Sequence, residues 1–378
     1  MDSPNGFQTF YIERIQCEWE NVVDYNLSES GVHPITVRGF VDDPTALERL
    51  LTTELGYPQS NGTLELRERI AALYPGAGPD NVLVTTGCAE ANFLALQTLL
   101  QPGDEMVVML PNYLQIWGLG HNYGLQVKTF RLQEERGWAP DLDELDRAVS
   151  ERTRAIAVCN PNNPTGYILT EAEMEAIVAA AARVGAWLLA DEIYSGAERL
   201  TDVQTPSFWG HYDKVLAMGS LSKAYGLPGL RIGWVVAPAA IAQALWAHHD
   251  YTTVATSMLS NQLAAIALSP EVRPRLIARA RDYVRQGFSI LEHWLQEHAG
   301  AFELVPPQAA AICFARYHLD IDSIALMERL IHEKSVLILA GDYFGLPGPH
   351  LRIGFGQPPD YLRAALDRIH ELIVELAG

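Results

Sequence analysis

Cysteine is scarce in this chain: Cys17, Cys88, Cys159 and Cys313 are the four among 378 residues, and none forms a CxxC pair. That spacing argues against a zinc site and against a disulfide framework, and Cys88 and Cys159 read first as small buried apolar residues. Positive charge is also short, with 27 Lys and Arg against 46 Asp and Glu and a formal net charge of −19. A nucleic-acid partner needs clustered cations, so none is expected; a small substrate can still meet a locally basic pocket on an acidic protein. No apolar run approaches the roughly 20 residues of a membrane span, so no membrane partner is expected either. Met1 to Glu13 lacks a basic stretch followed by an apolar run. No signal peptide is therefore expected, and a soluble, cytoplasmic protein is. Internal repeats, low-complexity tracts and charged tails are absent as well.

What is present is a globular balance, 48% hydrophobic and 19% charged, over a length suited to a two-domain α/β enzyme. From about residue 64 to 235, short apolar runs alternate with helical patterns, which predicts βαβ units and a mostly parallel sheet. The expected strands are Asn81–Thr85, Glu105–Leu110, Leu125–Phe130, Ala155–Cys159, Ala186–Ala190, Lys214–Met218 and Ile232–Val236. Helices are expected at Glu90–Leu100, Leu142–Val149 and Glu171–Val184, the last opened by a capping box of Thr170 and Glu173. After Pro238 the texture changes to helices near 241–248, 258–268 and 272–298, then strands near 311–316, 336–339 and 351–355 among further helices. The expectation is an α/β large domain over 47–271, its seven-stranded sheet lying between helices. A smaller α+β domain would combine 1–46 with 272–378.

Chemistry concentrates where strands end. Ser220-Leu221-Ser222-Lys223 follows the apolar run Val215–Met218 and leads into Gly229-Leu230-Arg231-Ile232-Gly233. A lysine that forms a Schiff base must present a neutral amine, and partial burial beside a cation such as Arg231 favours that form. Taken alone, Lys223 reads first as a surface loop lysine. Asn160-Pro161-Asn162-Asn163-Pro164-Thr165-Gly166 follows another strand and places the Asn163 amide at its carboxyl end, where open α/β sheets bind ligands. Asp191-Glu192-Ile193-Tyr194 follows a third strand, with an acid suited to a pyridinium N–H and a phenol suited to a ring oxygen. Thr85-Thr86-Gly87-Cys88-Ala89-Glu90 joins a strand to a helix, so the amides there form an anion site, provided Glu90 points away. Pro111-Asn112-Tyr113 supplies an aromatic ring at one more strand end. Each segment alone is an ordinary turn, and only their co-occurrence is informative.

In this order and spacing the five segments resemble the class I/II aminotransferases of pyridoxal-5′-phosphate (PLP) fold type I, from about Tyr57 to Arg352. The resemblance implies PLP as cofactor and Lys223 as the lysine that carries it and later moves a proton. Asp191 would hold the pyridine nitrogen, Tyr194 and Asn163 the ring's phenolic oxygen, and Tyr113 would stack on the ring. Ser220, Ser222 and Arg231, with the Cys88 and Ala89 amides after Gly87, would hold the phosphate. Tyr57, in Gly56-Tyr57-Pro58, would reach the phosphate of a partner subunit, which implies a homodimer. Arg352, in Leu351-Arg352-Ile353-Gly354, would grip the substrate carboxylate as a bidentate fork. The implied reaction moves an amino group from an L-amino acid to a 2-oxo acid.

Two segments depart from that pattern: Asn26-Leu27-Ser28-Glu29-Ser30-Gly31-Val32-His33-Pro34 near the substrate side, with Gly31 a candidate substrate contact, and Pro307-Gln308-Ala309-Ala310-Ala311. Both are expected at the substrate pocket. The Ser-Gly-Val-His stretch and the Lys223–Arg231 segment also resemble capreomycidine synthase, a fold type I relative that eliminates water from a hydroxyarginine and cyclises the product; Glu29 would then face a guanidinium. His33 as an acid or base is a weaker candidate. A non-catalytic sensor of PLP or an amino acid is a third alternative, against which stand the joint retention of Lys223, Asp191, Tyr194 and Arg352 and the want of a basic helix-turn-helix pattern ahead of them.

Overall fold

All seven apolar runs expected as strands pair into one sheet. The computed structural model describes residues 6–377, so the first five residues of the N-terminal segment lie outside the described residues. In chain order the strands are β1 Val82–Thr85, β2 Glu105–Leu110, β3 Gln126–Gln133, β4 Ala139–Pro140, β5 Thr153–Cys159, β6 Trp187–Asp191, β7 Val215–Ser220 and β8 Gly233–Val236. Across the sheet they lie in the order β1-β8-β7-β6-β5-β2-β3-β4. From β7 to β3 neighbouring strands are parallel. β8 runs antiparallel to β1 and β7, and β4 antiparallel to β3. The count of seven is thus corrected to eight. β4 is two residues long and contains Pro140, tolerable because it sits at the sheet edge, and it is too short for any alternation to show in the sequence.

The central strands read as unbroken apolar runs because both faces are covered. Leu188, Val215 and Val236 join the core on one face, while Leu189, Leu216 and Val235 join the core on the other. Helix Gly87–Leu99 covers the second face with Ala91, Leu94 and Ala95, and helix Glu171–Val184 covers the first with Met174, Ile177 and Ala181. Burying each leucine of β6 stabilises the fold by roughly 1.5–3 kcal/mol, which holds the strand in register and fixes the depth at which Asp191 ends it. The capping box at Thr170 and Glu173 is formed, and Gly185 closes the helix in the left-handed conformation at φ 68°.

A second, antiparallel sheet combines Phe302–Glu303, Ile312–Tyr317, His350–Gly354 and Leu339–Ala340. The long helix Arg273–Glu297 precedes it, with its apolar stripe buried. The N-terminal segment runs along this second sheet. Tyr25–Asn26 pairs in parallel with Val336–Leu337, and the Leu27 carbonyl accepts the Gly354 amide at 2.7 Å. The chain then crosses to the large sheet, where Ile35 N–H donates to the Gly226 carbonyl at 3.1 Å. That crossing carries residues 28–33 over the carboxyl ends of β5, β6 and β7. Among the described residues no helix is long and apolar enough to cross a membrane.

Candidate active site

At that crossing lies a cavity of about 550 Å³, walled on one side by strand ends and on the other by the N-terminal segment. Asp191, the last residue of β6, is buried, and its side chain's one protein hydrogen bond among the described residues comes from Ile193 N–H at 3.2 Å. Burial pushes its carboxyl up to about 6, against the smaller lowering by that amide and by Lys223. Such an acid is short of a partner and suits a pyridine N–H.

Lys223 follows β7, and its Nζ lies 2.6 Å from Glu29 Oε1. Gly31 packs on the same loop. A Cβ there would come within 3.2 Å of the Ser222 carbonyl and 3.3 Å of Lys223 Cα, so a glycine lets the N-terminal wall close onto the lysine. Burial raises the Glu29 carboxyl, but the Lys223 charge and hydrogen bond, with the Gly31 amide, outweigh it and hold the group at about 2. Tyr194 donates its phenolic hydrogen to Ser30 Oγ at 2.9 Å, and burial drives its ionisation far above the ordinary tyrosine range.

The phosphate end is built from two close approaches. Gly87 has φ +75°, and a Cβ on it would stand 2.3 Å from Arg231 Nη2, so only glycine admits the guanidinium. Ser220 Oγ lies 3.0 Å from both Ser222 Oγ and the Ile232 carbonyl, and Arg231 Nη1 reaches Ser222 Oγ at 3.4 Å. The first turn of helix Gly87–Leu99 has orphan amides, and Cys88 and Ala89 line the cavity there. Glu90 does turn away: it accepts Thr86 N–H at 2.6 Å and meets His249 and Thr253 at 3.1 and 2.8 Å on the far side. Burial opposes its ionisation, yet the hydrogen bonds from His249 and Thr252 and the Thr86 amide prevail and keep it at about 2.

Arg352 is buried at 2% exposure. Its Nη1 donates to Asn163 Oδ1 at 3.0 Å and its Nη2 to the Ser28 carbonyl, while Nε has no partner among the described residues. Burial pulls its ionisation down, which makes an incoming carboxylate more favourable still. Tyr113 lines the cavity edge-on to Phe10, with ring centroids 4.8 Å apart, and donates its hydroxyl to Glu13 Oε1 at 2.5 Å.

The fold therefore gathers Lys223, Asp191, Tyr194, Asn163 and Tyr113 with Ser220, Ser222, Arg231, Cys88, Ala89 and Arg352 around one space. Gly87 and Gly31 do not line it; they permit the close approach of Arg231 and of the Lys223 loop behind it. Tyr57 stands apart, 90% exposed and away from this cavity. The expectation that Pro307–Ala311 touches the pocket is corrected, since that segment does not line it. Instead the Gln308 and Ala309 amides bind the Gly166 carbonyl and brace the turn that carries Asn163. Sequence reasoning missed the helix Tyr11–Trp19. Its Glu13, Gln16, Cys17 and Glu20 form a polar stripe at helical spacing that faces the cavity, a pattern that in sequence reads as a solvated face.

These groups fit PLP: an amine, an under-partnered buried acid for the ring nitrogen, amide and phenol groups for the ring oxygen, and a cationic, glycine-opened cup for phosphate. Comparison with known proteins agrees. The profile of the family "Aminotransferase class I and II" matches residues 45–369. The chain is 35% identical to a capreomycidine synthase of Streptomyces vinaceus over 92% of this chain and 89% of that one. It is 30% identical to the arginine–pyruvate transaminase AruH of Pseudomonas aeruginosa, over 88% and 86%. A PLP-dependent aminotransferase from Streptococcus suis superimposes with a TM-score of 0.91 at 28% identity, covering 98% of each chain. Fold, cavity chemistry and relatives converge: the chain belongs to the class I and II aminotransferases, PLP-dependent proteins of fold type I.

Proposed function

We propose that this chain moves the amino group of an L-amino acid to a 2-oxo acid. The observation that carries the reading is the convergence of the Lys223 amine, the under-partnered Asp191 and the buried Arg352 on one cavity. Arg352 binds the substrate α-carboxylate through its guanidinium fork. Asp191 would hold a proton at the cofactor's ring nitrogen, Tyr194 and Asn163 would bind the ring oxygen, and Tyr113 would stack on the ring. Ser220, Ser222, Arg231 and the Cys88 and Ala89 amides would bind the phosphate. When bound, PLP supplies the electron sink for charge at the substrate α-carbon. Lys223 would take the proton from that carbon and hold it for return, a transfer its flexible stem allows.

The same reading takes residues 47–271 as a large domain and 1–46 with 272–378 as a small one. It takes a cytoplasmic homodimer as the working form, with the exposed Tyr57 reaching the partner's phosphate cup. Lys223→Ala tests the assignment: it should abolish turnover while the phosphate cup retains cofactor, and full activity in that variant would overturn it.

A second reading is supported by Glu29, which sets a carboxylate 2.6 Å from the Lys223 amine, and by the capreomycidine synthase relative. A carboxylate at the reacting centre can also receive a guanidinium, so the substrate would be a hydroxylated, arginine-like amino acid that is dehydrated and cyclised. Incubation with hydroxyarginine and no acceptor separates the two: a 2-oxo acid supports transamination, and a cyclic amino acid without one supports elimination.

A further inference from the structure

We infer that the cavity selects an amino acid with a guanidinium-bearing side chain, recognised by the Glu13–Glu20 stripe of the N-terminal helix together with Glu29. This rests on the cavity being an amino-acid site, and holds under either reaction above.

Charge balance gives the first argument. The cavity is lined by three cations, Lys223, Arg231 and Arg352, and by four carboxylates, Asp191, Glu29, Glu13 and Glu20. A phosphate would engage Arg231, a substrate carboxylate would engage Arg352, and Lys223 is the amine for the cofactor. Among the described residues Glu13 and Glu20 form no ion pair, and Glu13 has only the Tyr113 hydroxyl as a side-chain donor. The Glu29 Oε1 atom takes the Lys223, Ser30 and Gly31 donors, at 2.6, 2.9 and 3.0 Å, which leaves Oε2 without a hydrogen bond among the described residues. Partial burial, then repulsion from Glu29 and Glu13, raises the Glu20 carboxyl above its ordinary range. An incoming cation relieves that repulsion.

Geometry gives the second. Glu13 and Glu20 are seven residues apart on one helix face, about 10 Å along the axis, so the stripe runs the length of an extended side chain. The apolar residues Ile12, Ile15 and Trp19 hold the opposite face against the core. Gln16 Nε2 latches the helix to Ser28 Oγ and to its carbonyl, each at 3.0 Å. Ser28 in turn accepts Arg352, so carboxylate anchor and acidic stripe are tied to one segment. Arg352, buried and lining the same cavity, fixes which end of the substrate sits there, and the side chain then extends along the stripe. A guanidinium, with five donors in a planar fork, matches several carboxylates better than an ammonium does.

The test is calorimetric binding to the PLP-loaded protein of two unreactive ligands: arginine without its α-amino group, and the neutral citrulline counterpart. The guanidinium ligand should bind about 10–100-fold more tightly, the range expected of charge-assisted hydrogen bonds, with the preference shrinking at high salt. A Glu13→Gln/Glu20→Gln variant should lose most of that preference while keeping its cofactor absorbance; Glu20→Gln alone serves if the double variant melts early. Equal binding of the two ligands by the unaltered protein, while some other amino acid is converted, overturns this inference and leaves the aminotransferase reading standing. Failure to take up PLP, or to convert any amino acid, overturns that reading instead.

Discussion

The two walls of the cavity are built differently. The sheet wall carries Asp191, Lys223, Asn163 and the phosphate cup on strand ends whose neighbours are buried on both faces, so each group is held by the core itself. The N-terminal wall, helix Tyr11–Trp19 and residues 26–33, is held by a two-residue strand, a few backbone bonds and side chains such as Gln16. Chemistry common to a reaction class belongs on the rigid wall. Recognition of one substrate belongs on the wall that can change without disturbing the core.

Mutations break or sharpen that contrast, and the largest effects fall on the sheet wall. Lys223→Ala should lower turnover by at least about 10³-fold, measured as 2-oxo acid released, because it removes the proton carrier. Asp191→Asn probes the cost of the rigid wall. The folded-state value near 6 lies above the ordinary 3.8, so the buried charge opposes folding. That cost is absent below about pH 3.8 and complete above about pH 6. In cofactor-free protein the variant should therefore gain about 3 kcal/mol at pH 7 and almost nothing at about pH 3, by denaturant titration. Glu192, held up to about 8 chiefly by burial and in smaller part by the Asp191 charge, slopes the same way in both proteins, so most of its contribution cancels in the difference. With cofactor bound, the variant should lose activity instead.

Gly87→Ala should weaken PLP binding by about 10–100-fold, since its Cβ would displace Arg231 and its φ is unfavourable for alanine. Arg352→Lys should raise the KM for the amino acid by about 10-fold, because an ammonium lacks the bidentate fork. The smallest change is expected on the N-terminal wall. Gly31→Ala, whose contacts of 3.2 and 3.3 Å are tight but yielding, should shift KM a few-fold and leave cofactor affinity nearly unchanged. An equal loss of cofactor affinity in the Gly31 and Gly87 variants would erase the distinction between the walls.

The same contrast explains what was legible in the sequence. Residues at strand ends follow apolar runs and Gly- or Pro-marked turns, so SLSK, NPNNPTG and DEIY announce their own position. The helix Tyr11–Trp19 does not. Its Glu13, Gln16, Cys17 and Glu20 face a cavity that exists only once the chain folds, and a polar stripe looks the same whether it meets bulk water or a substrate. β4 was hidden because two residues carry no periodicity. Glu29 was visible as a departure from the family pattern, but its approach to Lys223 depends on the long-range crossing of residues 28–33, which local pattern does not encode.

The most direct test is the absorbance of the purified, PLP-loaded protein as single amino acids are added without any oxo-acid acceptor. The account predicts loss of the visible band of the lysine-bound cofactor, with stoichiometric release of a 2-oxo acid, and no such change in Lys223→Ala. A protein that takes up no PLP, or a bound cofactor whose band no amino acid alters, would contradict it.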